Sequence, residues 1–121
     1  MTQQRFGVNK VAELDYRDLI ASEFPRKPKP VVASASGTEV LKRGSVVRRN
    51  SDGSVSLVTV ATDVIYGVII QDLGPGETGM AWVTGDFVGR FMIFGIGTWE
   101  EWDNRLRLAY APLFFSESAN N

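Results

Sequence analysis

The clearest feature of the hydrophobic pattern is Val64-Ile65-Tyr66-Gly67-Val68-Ile69-Ile70, an apolar run with one glycine in its middle. Its length and β-branched content predict a strand buried on both faces rather than a helix. Gly67 lacks a Cβ, so a neighbouring backbone or a bulky ring is expected to approach closely there. Polar or turn-forming residues close the run, Ala61-Thr62-Asp63 before it and Gln71 to Gly76 after it. This is the expected central strand of a small β domain.

The flanking patterns read in the same way. Ser45 to Arg49, the turn Asn50-Ser51-Asp52-Gly53 and the alternating stretch Ser54 to Val60 predict a hairpin. Gly74 to Gly79 reads as an exposed turn. Met80 to Thr84 and Phe87 to Phe94 read as further strands joined near Gly85-Asp86. Thr98-Trp99-Glu100-Glu101 has the form of a capping box, in which the Thr98 hydroxyl accepts from the Glu101 amide while Glu101 reaches back. A helix of about two turns is expected to follow through Arg105. Acids at its start and Arg105 and Arg107 near its end suit the helix dipole. Leu106, Leu108 and Tyr110 then alternate with Arg107 and Ala109, which predicts a closing strand continued by Leu113-Phe114-Phe115.

Residues 1–37 have a different texture. Asn9 is placed to cap a short helix with Ala12, Tyr16, Leu19 and Ile20 on one face. Phe24-Pro25-Arg26-Lys27-Pro28-Lys29-Pro30 forbids regular helix and favours an extended chain. Ala33 to Gly37 is small and flexible. The expected division is therefore an extended arm over 1–37 and a β-rich domain over 38–121. Leu19, Ile20 and Phe24 have little local surface to bury against. They either await a partner or fold back over their own domain.

Composition bounds the function. A chain of 121 residues, 44% hydrophobic and 22% charged, is one domain or one domain with an appendage. Net charge is −1, so bulk attraction to nucleic acid or membrane is not expected. The halves differ: residues 1–50 carry ten Lys/Arg against five Asp/Glu, and residues 51–121 carry three against nine. That asymmetry suits head-to-tail packing of copies or docking on an acidic partner, and two independently solvated surfaces explain it equally well. Lys42, Arg43, Arg48 and Arg49 could contact phosphate, but such charges are more often a hairpin's wet face, and no aromatic residues interleave with them as a single-strand binder would want.

There is no His and no Cys, so the usual nucleophile–base pairs, zinc sites and disulfides are not expected. Asp63, Asp72, Glu77 and Asp86 fall at predicted strand ends, the ordinary place of solvated turn carboxylates. The glycines do not form a phosphate loop. No catalytic, cofactor-binding or metal-ligating residue is expected, and the chain does not read as an enzyme. The polar start Met1-Thr2-Gln3-Gln4-Arg5 is unlike a signal peptide, and no apolar run reaches about 18 residues, which suggests a cytosolic origin.

Three stretches carry a resemblance: Asp18-Leu19-Ile20-Ala21-Ser22-Glu23-Phe24-Pro25, then Ala35-Ser36-Gly37, then Leu41-Lys42-Arg43-Gly44-Ser45-Val46. Together they resemble the lambda-like head decoration, or capsid cement, proteins of tailed phages. In that family a "(D/N)LIAG(D/E)FP" arm precedes an "ASG…LKRGTVL" strand. Tyr66-Gly67-Val68-Ile69 is similar to the family's "AxGIL" strand. The order of later elements, Gly85-Asp86-Phe87, a Trp-containing helix and a last apolar strand, is also similar. The resemblance spans most of residues 16–115. It departs from the family at Ser22, where glycine is usual, and at Val47, where leucine is usual.

The resemblance implies a mostly β, barrel-like "β-tulip" domain with one short helix near its carboxyl end and an extended amino-terminal arm. It implies homotrimers on the outer surface of the virion head, with the major capsid protein as partner. The capsid-binding residues would be Leu19, Ile20, Phe24, Pro25, Arg26, Lys27 and Lys29, and Trp99 and Trp102 are candidates for a subunit interface. A folded part of this size is expected to gain only about 3–5 kcal/mol from a single core, which oligomerisation would supplement. A tail or baseplate adaptor and a small enzyme subunit are the alternatives.

Overall fold

The structure is a computed structural model and describes residues 19–36, 40–109 and 112–117. Five strands form an antiparallel sheet: β1 (Pro28–Val32), β2 (Val46–Arg49), β3 (Val55–Leu57), β4 (Ile65–Ile69) and β5 (Thr78–Trp82). Their order is β1-β5-β4-β2-β3, so the apolar run does supply the middle strand. A second, parallel pair is made by β6 (Gly85–Val88) and β7 (Leu113–Ser116). A short 3₁₀ turn, Gly89–Phe91, follows β6, and the helix α1 (Trp99–Ala109) precedes β7. The protein is thus mostly strand with one short helix near its carboxyl end.

Strand β4 is covered on both sides. A bulge opposite Val47 and Arg48 shifts its alternation, so that Ile65 and Val68 share one face while Tyr66 and Ile69 take the other. Val64, expected inside the strand, is instead 80% exposed before it. At Gly67 the close approach is real: a Cβ there would stand 2.7 Å from the Trp82 carbonyl oxygen on β5.

On the first face the side chains are large. Trp82 stacks on Phe87 with centroids 5.5 Å apart, and Phe94 stacks on Trp102 at 6.2 Å and meets Phe115 edge-on. The second face is lined by Val31, Ala33, Val47, Val55, Ile69, Leu73 and Ala81. There the sheet curls on itself, and its two edges touch once: the Ser34 amide donates to the Val55 carbonyl at 2.9 Å. The sheets do not close into a barrel.

Three expectations are corrected. The division at residue 37 does not hold, because residues 19–36 belong to the same folded unit. Leu19 and Ala21 are buried, Leu19 on the aromatic side, β1 pairs with β5, and Val31 and Ala33 line the aliphatic side. The apolar residues of this segment were too few to form a core locally, and they found one across the chain. Phe91 to Phe94 is not a strand: the 3₁₀ turn ends it early, although Ile93 still exchanges backbone bonds with Gly44 and Val46.

The helix is also longer than expected. Leu106 stands four residues after Trp102 and shares its buried face, while Leu108 is 81% exposed, so the alternation near Leu106 was a helical stripe read as a strand. Glu101 does reach back to the Thr98 amide at 3.0 Å, one of the two expected halves of the capping box. Asp103 fastens the helix to β7, accepting the Phe115 amide at 2.8 Å and the Arg107 Nε at 2.6 Å. The expected helix around Asn9, Ala12 and Tyr16 lies outside the described residues.

Candidate functional site

Glu23 to Pro30 forms a continuous exposed ridge between two buried anchors, Leu19–Ala21 and Val31. Thr84 holds its bend: the Thr84 hydroxyl donates to the Pro25 carbonyl at 2.7 Å and accepts the Lys27 amide at 2.9 Å. The Val83 amide donates to the Lys27 carbonyl, starting the β1–β5 ladder. In that ladder Lys27, Lys29 and Val31 turn their backbone groups toward β5. Pro28 and Pro30 occupy the outward positions, where the missing amide costs no ladder bond and leaves an edge with few donors.

The amino-terminal anchor is tied by Asp86. Its carbonyl accepts the Ala21 amide at 2.8 Å, and its carboxylate accepts the Ser22 and Ser116 hydroxyls at 2.8 and 2.7 Å. One carboxylate thereby joins the ridge, β6 and β7. Asp86 was expected as a solvated turn residue, and nothing in its local sequence announces partners 64 and 30 positions away. Asp72 and Glu77 do serve turns, accepting the Arg43 and Gly74 amides.

The residues named from the sequence separate into two groups. Leu19 is buried in its own domain, so it has no side chain free to fill a partner's cavity. Ile20 is half-buried and packs on the same core. Phe24, Pro25, Arg26, Lys27 and Lys29 remain exposed, with the Phe24 ring edge-on to Phe114 at 5.1 Å. Of the two indoles, Trp102 is 2% exposed and donates to the Ile96 carbonyl at 2.8 Å, so it is a core residue rather than an interface residue. Trp99 is half-buried over Gly89, where a Cβ would collide with its ring, and it lines an open cavity of about 480 Å³.

Electrostatics elsewhere are structural. Burial pushes the Asp63 carboxyl upward, but the Thr59 and Val60 amides and the Arg48 guanidinium outweigh it, and the group titrates below the usual carboxylate range. Arg107 is raised by its hydrogen bond to Asp103 and by that residue's charge. Among the described residues no three carboxylates stand together as a metal site, and no helix is long and apolar enough to cross a membrane. No family model and no curated protein matches the chain.

Proposed function

We propose that the chain is a head decoration protein that binds the outside of an expanded phage capsid as trimers and stabilises it. The observation that carries this reading is where the motif-bearing stretches lie. Leu19 and the Lys42–Val46 stretch meet beside the central strand: the Gly44 amide donates to Ile69, and the Leu19 side chain lies 3.5 Å from where a Gly44 Cβ would sit. Stretches that resemble one family in sequence thus also form one structural unit. The mostly β fold and the exposed ridge support the same reading.

In this proposal the ridge, rather than Leu19, meets the major capsid protein. Prolines preset its extended backbone, which lowers the ordering cost on binding. Arg26, Lys27 and Lys29 face an acidic surface, Phe24 and Pro25 supply apolar contact, and Trp99 lies toward a neighbouring subunit. The test is co-sedimentation with expanded heads assembled without this protein, from the phage that encodes it. The full chain is expected to bind, less so as salt rises, and the triple variant Arg26→Glu, Lys27→Glu, Lys29→Glu to lose at least about tenfold in affinity. Failure of the full chain to sediment with such heads rejects the reading.

A further inference from the structure

The two edges of the five-stranded sheet are unequal, and the difference marks a second surface. Edge β1 presents prolines. Edge β3 does not. The Val58 amide donates to Val46 and the Asn50 amide to Ser54, so the bonded positions of the β2–β3 ladder are 54, 56 and 58. Val55 and Leu57 therefore turn their backbone groups outward. The Val55 carbonyl is taken by Ser34, whereas the Leu57 amide and carbonyl have no partner among the described residues.

That open position borders a groove of about 460 Å³ lined by Val40, Leu41, Lys42, Ser45, Leu57 and Ile93. Val40 and Ile93 are 47% and 38% exposed, so its walls are apolar and accessible. Ser45 is 2% exposed, and its hydroxyl has no hydrogen-bond partner among the described residues. A buried hydroxyl without a partner is uncommon in a folded protein and calls for a ligand group or a water. Among the described residues Lys42 is the one charged residue of the lining.

We infer that this groove binds an extended, acidic peptide segment of a partner protein as an added strand beside β3. The Leu57 amide and carbonyl would supply main-chain hydrogen bonds, and Val40 and Ile93 would hold alternate small apolar side chains. Lys42 would select a carboxylate between them, with the Ser45 hydroxyl satisfied by the same peptide. This surface is independent of the ridge and of the capsid reading.

The test uses the full chain and three blocked heptapeptides. The first alternates valine with aspartate, the second alternates valine with lysine, and the third is the first with every amide N-methylated. Binding is titrated by NMR, and hydrogen exchange of the Leu57 amide is followed in the complex. The valine–aspartate peptide is expected to bind saturably and to slow Leu57 exchange, and the N-methylated form to do neither. Lys42→Glu, an exposed substitution that leaves the fold intact, is expected to weaken the aspartate peptide by at least about tenfold and to favour the lysine peptide. Ser45→Ala is expected to weaken it by a smaller factor. No saturable binding up to millimolar peptide overturns the inference. So does binding that leaves Leu57 exchange unchanged, or equal binding of the aspartate and lysine peptides. Protection of Leu57 that grows with protein concentration, without any peptide, would show a second copy in the groove and overturn it as well.

Discussion

The two faces of the central sheet solve one problem with different materials. One is built around Trp82, Phe87, Trp102 and Phe115, whose bulk holds a separate layer of β6, β7 and α1 away from the sheet. The buried residues of the other are Val, Ala, Leu and Ile, with Tyr66 only partly buried against them. It is covered mainly by the sheet's own curl, with Ala33, just after β1, meeting Val55 of β3. Side-chain size sets how far apart covering layers must stand. Small residues let a sheet fold over itself, whereas rings require another element. Residues 19–33 serve both faces, Leu19 on one and Val31 and Ala33 on the other.

The largest expected effect follows from that shared role. Deleting residues 1–33 removes β1 and apolar groups from both faces at once, and the remainder is expected to lose cooperative folding. Circular dichroism during a thermal ramp reads this directly. A sharp transition in the truncated chain would mean that each face is complete without the segment.

Next comes the aromatic layer. Trp102→Ala leaves a void against Phe94 and strands the Ile96 carbonyl, at a cost of about 3–5 kcal/mol in urea unfolding. A loss under about 1 kcal/mol would mean that the second layer collapses into the gap, against the picture of rings that set its distance.

The tight approach of β4 and β5 is probed by the reverse change. Gly67→Ala drives a methyl against the Trp82 carbonyl, which is backbone and has little room to yield. Overpacking of this kind is expected to cost about 1–3 kcal/mol, measured in the same unfolding assay. A neutral substitution would show that the strands separate at little cost.

The smallest effect belongs to neither face. Asp63 organises the loop between β3 and β4, and its carboxyl is held below the usual range. The unfolded chain therefore takes up this proton at higher pH than the folded one. The stabilisation is present above the unfolded value, about 3.9, and is lost as pH falls through the folded value. Asp63→Asn should flatten the acid side of the stability–pH curve, with little change in its slope near neutrality. An unchanged acid limb would assign the acid sensitivity to other carboxylates.

Much of this architecture was legible in the chain because its signals are local. The run Ile65 to Ile69 declares a strand covered on both sides, Asn50 to Gly53 declares a hairpin turn, and Glu101 three residues after Thr98 declares a helix start. Pro25, Pro28 and Pro30 announce an extended backbone, but that Pro28 and Pro30 lie within a strand paired to β5 was not legible from them.

Other features depended on partners far along the chain, and no local pattern encodes them. The sequence left open whether Leu19 awaits a partner or folds back, and only the packed core placed it against Gly44 and Met92. The Asp86 tie to Ser22 and Ser116, the outward Leu57 backbone and the burial of Ser45 beside the groove likewise follow from which strand lies beside which. Propensity and turn chemistry act over a few residues, so the sequence by itself determined the elements and their turns. Burial and hydrogen-bond satisfaction act across the whole molecule, so only the tertiary structure decided which residues are core and which remain on the surface to bind.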